Sequence, residues 1–383
     1  MDRKIGHNAG SGERQADIAI VGGGLVGTAL AWGCVEAGAR IALFDAGDDR
    51  FHASAGNFGL VWVQGKGRDV PAYAGLSRRS AAVWDSFADT LADRTGIDLS
   101  YRRTGGLKIA VSDDELEGFA EELRRGHNRR DPASDNTRLI DRKELADLVP
   151  AIGPDVRGAT WCPDDGHADP LATLRALHAA LDRAANVTLI RETVADVSAQ
   201  SGGGFELRTS AGAYRAGRIV LAAGLGNVAL APALGLQAPV RPERGQIVVT
   251  ERCDPFLDRA CHTVRQTADG TVLLGDSKEE VGFDTGVTRT VATSILARAA
   301  RTFPLLAEKR VVRIWGALRV LTPDGLPVYE SSERCPGASV VTCHSGVTLA
   351  AAHAGEVARA VLEDRLSSTY PAFSAARFAE AAE

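Results

Sequence analysis

An unbroken apolar run, Ile18, Ala19, Ile20 and Val21, leads directly into Gly22, Gly24 and Gly27. A short run of this kind, closed by glycine, predicts a strand buried on both faces. Small or apolar residues then recur at Val26, Ala29, Leu30, Gly33, Cys34 and Ala37, the spacing of a closely packed helix. A second run over residues 39–45 ends on Asp45. Strand, glycine turn, helix, strand and acid in this order predict a dinucleotide-binding unit over residues 16–46.

Further along, a glycine-rich stretch at 51–59 runs into apolar residues 60–63. Leu76, Ala81, Val83, Trp84, Phe87 and Leu91 give one apolar stripe and predict a helix over 73–95. A strand is expected at 105–111 and a charged helix at 113–130 with Ser112 as its cap. Residues 131–137 read as a loop. Pro170 starts a helix over 171–185, followed by a strand at 186–190. Residues 193–197 and 205–209 read as a small antiparallel pair, and 218–224 as a strand ending at a glycine turn.

The texture changes over 240–320. Short strands at 246–250, 263–266, 271–274 and 311–315, interrupted by one helix at 287–303, predict an antiparallel sheet in a separate layer. A strand at 339–343, a turn at 344–349 and a helix at 350–362 then repeat the strand–glycine–helix logic of the start. The expected class is α/β plus α+β: a Rossmann-like nucleotide domain, discontinuous in sequence, with a second domain built on an antiparallel sheet.

Composition narrows this picture. The 383 residues suffice for two domains, and the net charge of −5 offers no reason to expect nucleic acid. No stretch reaches the ~20 apolar residues that span a membrane. Residues 1–15 are polar and read as a flexible tail. Six scattered cysteines form no ligand-spaced cluster, so no metal is expected, and they suit a reducing compartment, read as the cytoplasm. Asp164, Asp165 and His167 have metal-ligating side chains, but Asp169 and Pro170 make this run a turn and helix cap.

The glycines of the first motif serve different purposes. Gly22 permits the tight turn, Gly24 allows close approach to a pyrophosphate, and Gly27 lets the helix pack on the strand. The helix N-terminus faces the phosphates with free N–H groups. Asp45 stands about 20 residues beyond Gly22, where a carboxylate accepts from ribose hydroxyls.

The sequence resembles the D-amino-acid-oxidase-like FAD-dependent oxidoreductases, the family of glycine oxidase, sarcosine oxidase and D-amino-acid dehydrogenase. Five segments in family order carry the resemblance: 20–27; 53–57; Arg244, Gly245 and Gln246; 319–327; and 344–349. Within the family, residues 56–67 look most like the FAD-carrying subunits of multi-subunit opine and hydroxyproline dehydrogenases. The resemblance implies FAD-binding segments at 16–95, 145–235 and 325–365, and substrate-binding segments at 96–144 and 236–324. FAD would meet Gly22, Gly24, Leu25, Val26 and Gly27 at its pyrophosphate and Asp45 at its ribose. Ala53, Ser54, Gly56 and Asn57 would pass near the flavin ring, Val194 would touch the adenine, and Ala223 and Gly224 would close on the cofactor. Gly346, Val347 and Thr348 would aim N–H groups at the flavin N1–C2=O edge, which becomes negative on reduction.

The implied reaction is hydride transfer from an amino-acid or amine Cα–H to flavin N5, leaving an imine that hydrolyses to keto acid plus amine. It needs a cation to hold the substrate carboxylate. Arg319 stands where the family places that arginine, and a guanidinium suits bidentate recognition. The family pattern has proline next, where this chain has Val320. The alternative for Arg319 is an ion pair with Asp324. His344 either contacts substrate or flavin or is held by backbone, and Asn57 either bonds near the flavin or shapes its own loop. Phe58, Trp62 and Phe283 either line a pocket or pack in the core. Lys66 and Arg68 read as a solvated loop; the narrower resemblance offers instead a phosphate contact to FMN at a subunit interface. Three readings follow: a dehydrogenase subunit in a hetero-oligomer passing electrons onward from an opine-, proline- or D-amino-acid-like substrate, a stand-alone oxidase using oxygen, and a flavin-holding assembly subunit.

Overall fold

Side chains alternate across the first strand, Gln15–Val21, and from Ile18 onward both sets are buried. Ile18 and Ile20 enter one apolar cluster, while Ala19 and Val21 enter another. The strand therefore lies at the centre of a sheet covered on both faces. The computed structural model describes residues 15–47, 53–67, 69–128 and 136–378. The expected tail lies outside these, except Gln15, which opens the first strand.

The central sheet runs in the order Val328–Ser331, Ala338–Thr342, Gly212–Leu221, Gln15–Val21, Ile41–Phe44, Val187–Ile190. All neighbours are parallel except the first two. Phe205–Thr209 and Asp196–Ala199 extend it as an antiparallel flap. The flap strand begins three residues later than the sequence pattern suggests, and Gly212–Leu221 is longer, because its first half pairs with the flap and its second half with the central strand.

The helix Leu25–Glu36 is buried on nearly all sides. Gly33 lets the C-terminal helical segment cross against it, for a Cβ there would overlap the Ala354 carbonyl. That crossing brings residues 346–362 onto the first glycine turn. The C-terminal segment contains one wide turn, His353–Val357. His353 is fully buried there, its Nε2 sharing a hydrogen bond of 2.7 Å with the Tyr329 hydroxyl. Burial pushes its imidazole down to about 3. The unfolded chain therefore takes up this proton first, and the stability that depends on neutral His353 is full above pH 6.5 and lost as pH falls toward 3. His353→Gln is expected to flatten the dependence of unfolding free energy on pH in that window by up to ~1.4 kcal/mol per pH unit. An unaltered acid limb in thermal melts would refute the assignment.

The helix expected over 73–95 is two helices, Pro71–Ala82 and Trp84–Thr95. The break at Val83, itself exposed, lets Trp84 bury completely and donate its indole N–H to Val347 O at 3.1 Å. Ser112 caps the charged helix as expected, accepting from Glu115 N. Arg138–Asp141, Arg142–Leu148 and Gly158–Cys162 are elements the sequence pattern did not mark.

The second layer is an antiparallel sheet ordered Val264–Gln266, Val272–Leu274, Arg241–Thr250, Val311–Leu321. Its two long strands pair from Arg241 opposite Leu321 to Thr250 opposite Val311. One face packs on the helix Arg289–Thr302 through Val248, Leu274, Ile314 and Ile295. The other carries Ile247, Val249, Leu273 and Trp315 against Phe58. A further sheet, Ala260–Cys261, Gly106–Ala110, Gly158–Cys162 and Arg138–Asp141, completes this side.

Candidate active site

Gly22 has φ +114, a left-handed conformation, and its N–H donates to Phe44 O at 2.8 Å. A side chain there would also overlap the Ala222 carbonyl, so strand end, turn and helix start are packed backbone to backbone. Gly24 caps the helix in an extended conformation. Ser54 Oγ accepts from Leu25 N at 2.9 Å, which ties the glycine-rich loop to this N-terminus. The Asp45 carboxylate lies against Gly23, where any side chain would strike it, and its Oδ1 accepts from Gly47 N. His178, unmarked by the sequence, binds Gly23 O through Nε2 at 2.9 Å. Val194 is buried in the second apolar cluster, away from the helix face of the sheet.

The late turn stacks on the early one. A Cβ at Gly346 would lie 3.7 Å from Val26 and 3.9 Å from Leu25. Val347 O and Thr348 O are held by Trp84 Nε1, and Thr348 O also by Ser80 Oγ. None of the hydrogen bonds among the described residues uses the N–H of Gly346, Val347 or Thr348. Ala223 N donates to Asn227 Oδ1, and Gly224 is at φ +56, where an added Cβ would lie 3.3 Å from Val320. The residues expected to grip FAD around the two glycine turns therefore converge, and a cradle with no room for side chains at Gly22 and Gly27 fits a bound pyrophosphate.

The loop 56–66 is positioned by Asp165. Its buried carboxylate accepts from Val63 N at 2.5 Å, Gln64 N at 3.2 Å and Gln64 Nε2 at 2.6 Å, from 102 positions away in sequence. Asp164 pairs with Arg103, and Asp169 Oδ1 caps the helix Pro170–Arg183 through Leu171 N and Ala172 N. No group of three metal-ligating side chains occurs among the described residues. Asn57 Oδ1 accepts from Gly59 N at 2.8 Å, so this side chain shapes its own loop. Gly56 O accepts from Trp315 Nε1 at 3.2 Å, which joins the loop to the antiparallel sheet. Phe58 packs against that sheet, whereas Phe283 is 73 % exposed and belongs to none of the core clusters.

Lys66 is half-buried rather than standing free in a solvated loop. Its ammonium donates to Ser345 Oγ at 2.5 Å and Thr348 Oγ1 at 3.2 Å and lies 5.8 Å from the Tyr73 ring centre. Arg68 lies outside the described residues.

Arg319 projects from the sheet face that carries Trp315 and Ala317. Gly245 leaves room for it, since a Cβ there would lie 2.6 Å from Arg319 Nη2. Its partners are not Asp324, which pairs with Arg377, but Glu243 at 3.0 Å, Asp276 at 3.3 Å and Ser277 O at 2.7 Å. Arg244 and Gln246 point to the opposite face, where Arg244 pairs with Glu279 and Asp284. That part of the resembling segment is therefore structural. His344 sits in a recess that leaves its ring accessible. The surrounding protein, then the charges of Lys66, Arg319 and Lys278, hold its imidazole well below its ordinary range. His344 thus lies near three cations, Lys66, Arg319 and Lys278, which disfavour its protonated form.

This geometry and the match of residues 17–360 to the DAO family of FAD-dependent oxidoreductases place the chain in that family. It is an FAD-dependent enzyme that oxidises amino acids or amines. It is 40% identical to an opine oxidase subunit of Agrobacterium tumefaciens (strain Ach5), over 95% of this chain and 98% of that protein. It is 39% identical to the corresponding opine oxidase subunit of Rhizobium meliloti, over 95% and 98%. The crystal structure of glycine oxidase from Geobacillus kaustophilus superposes with a TM-score of 0.83 at 25% identity, covering 92% of this chain and 95% of that one. No helix among the described residues is long and apolar enough to cross a membrane.

Proposed function

We propose that this chain is the FAD-carrying subunit of a multi-subunit dehydrogenase for an opine-like secondary amine, with proline- and D-amino-acid-like compounds as the nearest alternatives. Its FAD-binding and substrate-binding segments follow the expected division except over 145–162, which packs with the substrate-side sheets, and the active site lies between them. The observation that carries the reading is the convergence of Arg319, His344 and the turn Gly346–Thr348 at the contact between the antiparallel sheet and the nucleotide-binding layer. Full-length similarity to two proteins named as subunits supports the multi-subunit part.

Bound FAD supplies the hydride acceptor for the substrate Cα–H. Arg319 receives the α-carboxylate with its fork, in exchange for part of its pairing with Asp276. Neutral His344 bonds the substrate without adding charge, and Phe58 and Trp315 exclude water from one wall. Two carboxylate arms on a secondary amine suit the cationic rim of Arg319 and Lys278.

The test is anaerobic flavin bleaching by the FAD-loaded chain, alone and assembled, against opines, proline, hydroxyproline, glycine, sarcosine and D-amino acids. Bleaching by an opine, with transfer onward only in the assembled complex, is the expected result. The overall likeness to glycine oxidase favours the second reading, a stand-alone oxidase. Hydrogen peroxide formed at turnover rate by the isolated chain would establish it. A chain that no amine bleaches, alone or assembled, would be the flavin-holding assembly subunit. FMN released beside FAD from the denatured complex would identify a second flavin at the interface.

A further inference from the structure

The loop 56–66 ends in a lysine whose position is unusual for a cation. Lys66 Nζ is held by two neutral hydroxyls, Ser345 Oγ and Thr348 Oγ1, and by the face of Tyr73. Both hydroxyls are themselves fixed. Ser345 Oγ also bonds the Tyr73 hydroxyl at 2.8 Å, and Thr348 Oγ1 accepts from Trp62 N and donates to Leu60 O. Asp165 and the Cys343 thiol are close enough to favour the charged form, yet Asp165 spends its oxygens on the backbone and side chain of residues 63–64. A half-buried ammonium held by neutral groups is costly without a close counter-charge. Burial accordingly pushes Lys66 down to about 8.

Lys66 is bonded to both ends of the turn 345–348, and the backbone N–H groups of Gly346, Val347 and Thr348 are directed at no acceptor among the described residues. We propose that Lys66 is an electrostatic positioning residue for the cofactor: its fixed positive charge at this turn favours reduced over oxidised flavin. The inference rests on the reading that Gly346–Thr348 meets the flavin N1–C2=O edge. Reduction brings two electrons and one proton from the substrate Cα–H to the flavin and makes that edge negative. It thus adds negative charge beside an ammonium whose hydrogen-bond partners are neutral hydroxyls. The buried Asp165 has a matching part, because its grip on Val63 and Gln64 sets the direction in which Lys66 enters.

The experiment uses the full chain loaded with FAD and compares Lys66→Gln, Lys66→Met and Lys66→Arg with the parent. Gln keeps a donor for Ser345 and removes the charge, so the Gln variant decides the matter even where Met fails to fold. The readouts are the flavin midpoint potential, the affinity for sulfite (which adds reversibly to N5 and places negative charge on the same edge) and the affinity for oxidised FAD. Gln and Met are expected to weaken sulfite binding about tenfold or more. They should lower the potential by ~30 mV for each tenfold change in the reduced-to-oxidised affinity ratio. Oxidised FAD should bind as in the parent, and Arg should restore both readouts. An unchanged potential and sulfite affinity in the FAD-loaded Gln variant would overturn the inference while leaving the proposed function intact. Equal weakening toward both forms of the flavin would also overturn it, since Lys66 would then merely support the turn. A parent chain that binds no FAD would remove the proposed function itself.

Discussion

Gly27→Ala is expected to yield a chain that purifies without FAD and melts earlier than the parent. Gly27 lies where the helix Leu25–Glu36 passes closest to the turn that precedes it, and a Cβ there would overlap the carbonyl of Gly22 and press on Ala222. Neither neighbour can yield. Gly22 is fixed by its hydrogen bond to Phe44 O, and Ala222 by its hydrogen bond to Val21 O. The methyl group must therefore push the helix outward, at a cost of ~1–3 kcal/mol for overpacking. The same displacement moves the donors of Val26 and Gly27 away from the pyrophosphate and disturbs the Leu25 N–H bond to Ser54 Oγ. Losing even one charge-assisted hydrogen bond costs ~1.5–3 kcal/mol, or roughly 10- to 100-fold in FAD affinity. Flavin content of the purified protein and a melting curve of the apoprotein measure the two effects separately. A fully FAD-loaded variant would show that the helix start can shift without loosening the cradle.

Arg319→Leu is expected to raise the substrate dissociation constant, read from anaerobic flavin reduction, by the equivalent of ~2–5 kcal/mol, the range for truncating one partner of a desolvated charge pair. The rate at saturation should fall less, because the Cα–H is oriented by several groups. The pairing seen here adds a second expectation. Arg319 carries two carboxylates, Glu243 and Asp276, of which Glu243 is the more buried. Deleting the guanidinium leaves Glu243 without its partner, so the Leu variant should also lose ~1–3 kcal/mol of stability. Asp276→Asn should act in the opposite sense to Arg319→Leu on affinity, by freeing one side of the fork for the substrate. Arg319→Lys keeps the charge without the fork and should fall between parent and Leu variant. An unchanged dissociation constant in Arg319→Leu would sink the carboxylate assignment and leave Arg319 as a strut between Glu243, Asp276 and Ser277.

Much of the nucleotide-binding layer was legible because its information is local. Gly22, Gly24, Gly27 and Asp45 lie within one strand–helix–strand unit, and their spacing alone states the turn, the close approach and the ribose-side acid. The break at Val83 was not legible, since the apolar stripe over 73–95 runs through it. The chain bends there because Trp84 finds its acceptors in Val347 and Thr348, more than 260 positions away. The setting of Lys66 was hidden for a similar reason. A lysine between glycines looks solvated until the hydroxyls of Ser345 and Thr348 are brought beside it.

Patterning and spacing alone determined the class of fold, the nucleotide grip, the inserted antiparallel layer and, through the resemblance they carry, the flavin chemistry. Tertiary structure decided which charges remain available for that chemistry. Arg319 is flanked by Glu243 because the two long strands pair in one register, and by Asp276 because a later segment folds back over them. Asp165 holds the loop 62–64, His344 is kept neutral, and Lys66 is turned inward, all through neighbours remote in sequence. Backbone conformation follows from short-range sterics and periodicity, which are written along the chain. The electrostatic state of a side chain depends on distance through space and on desolvation, and those exist only once the chain has folded.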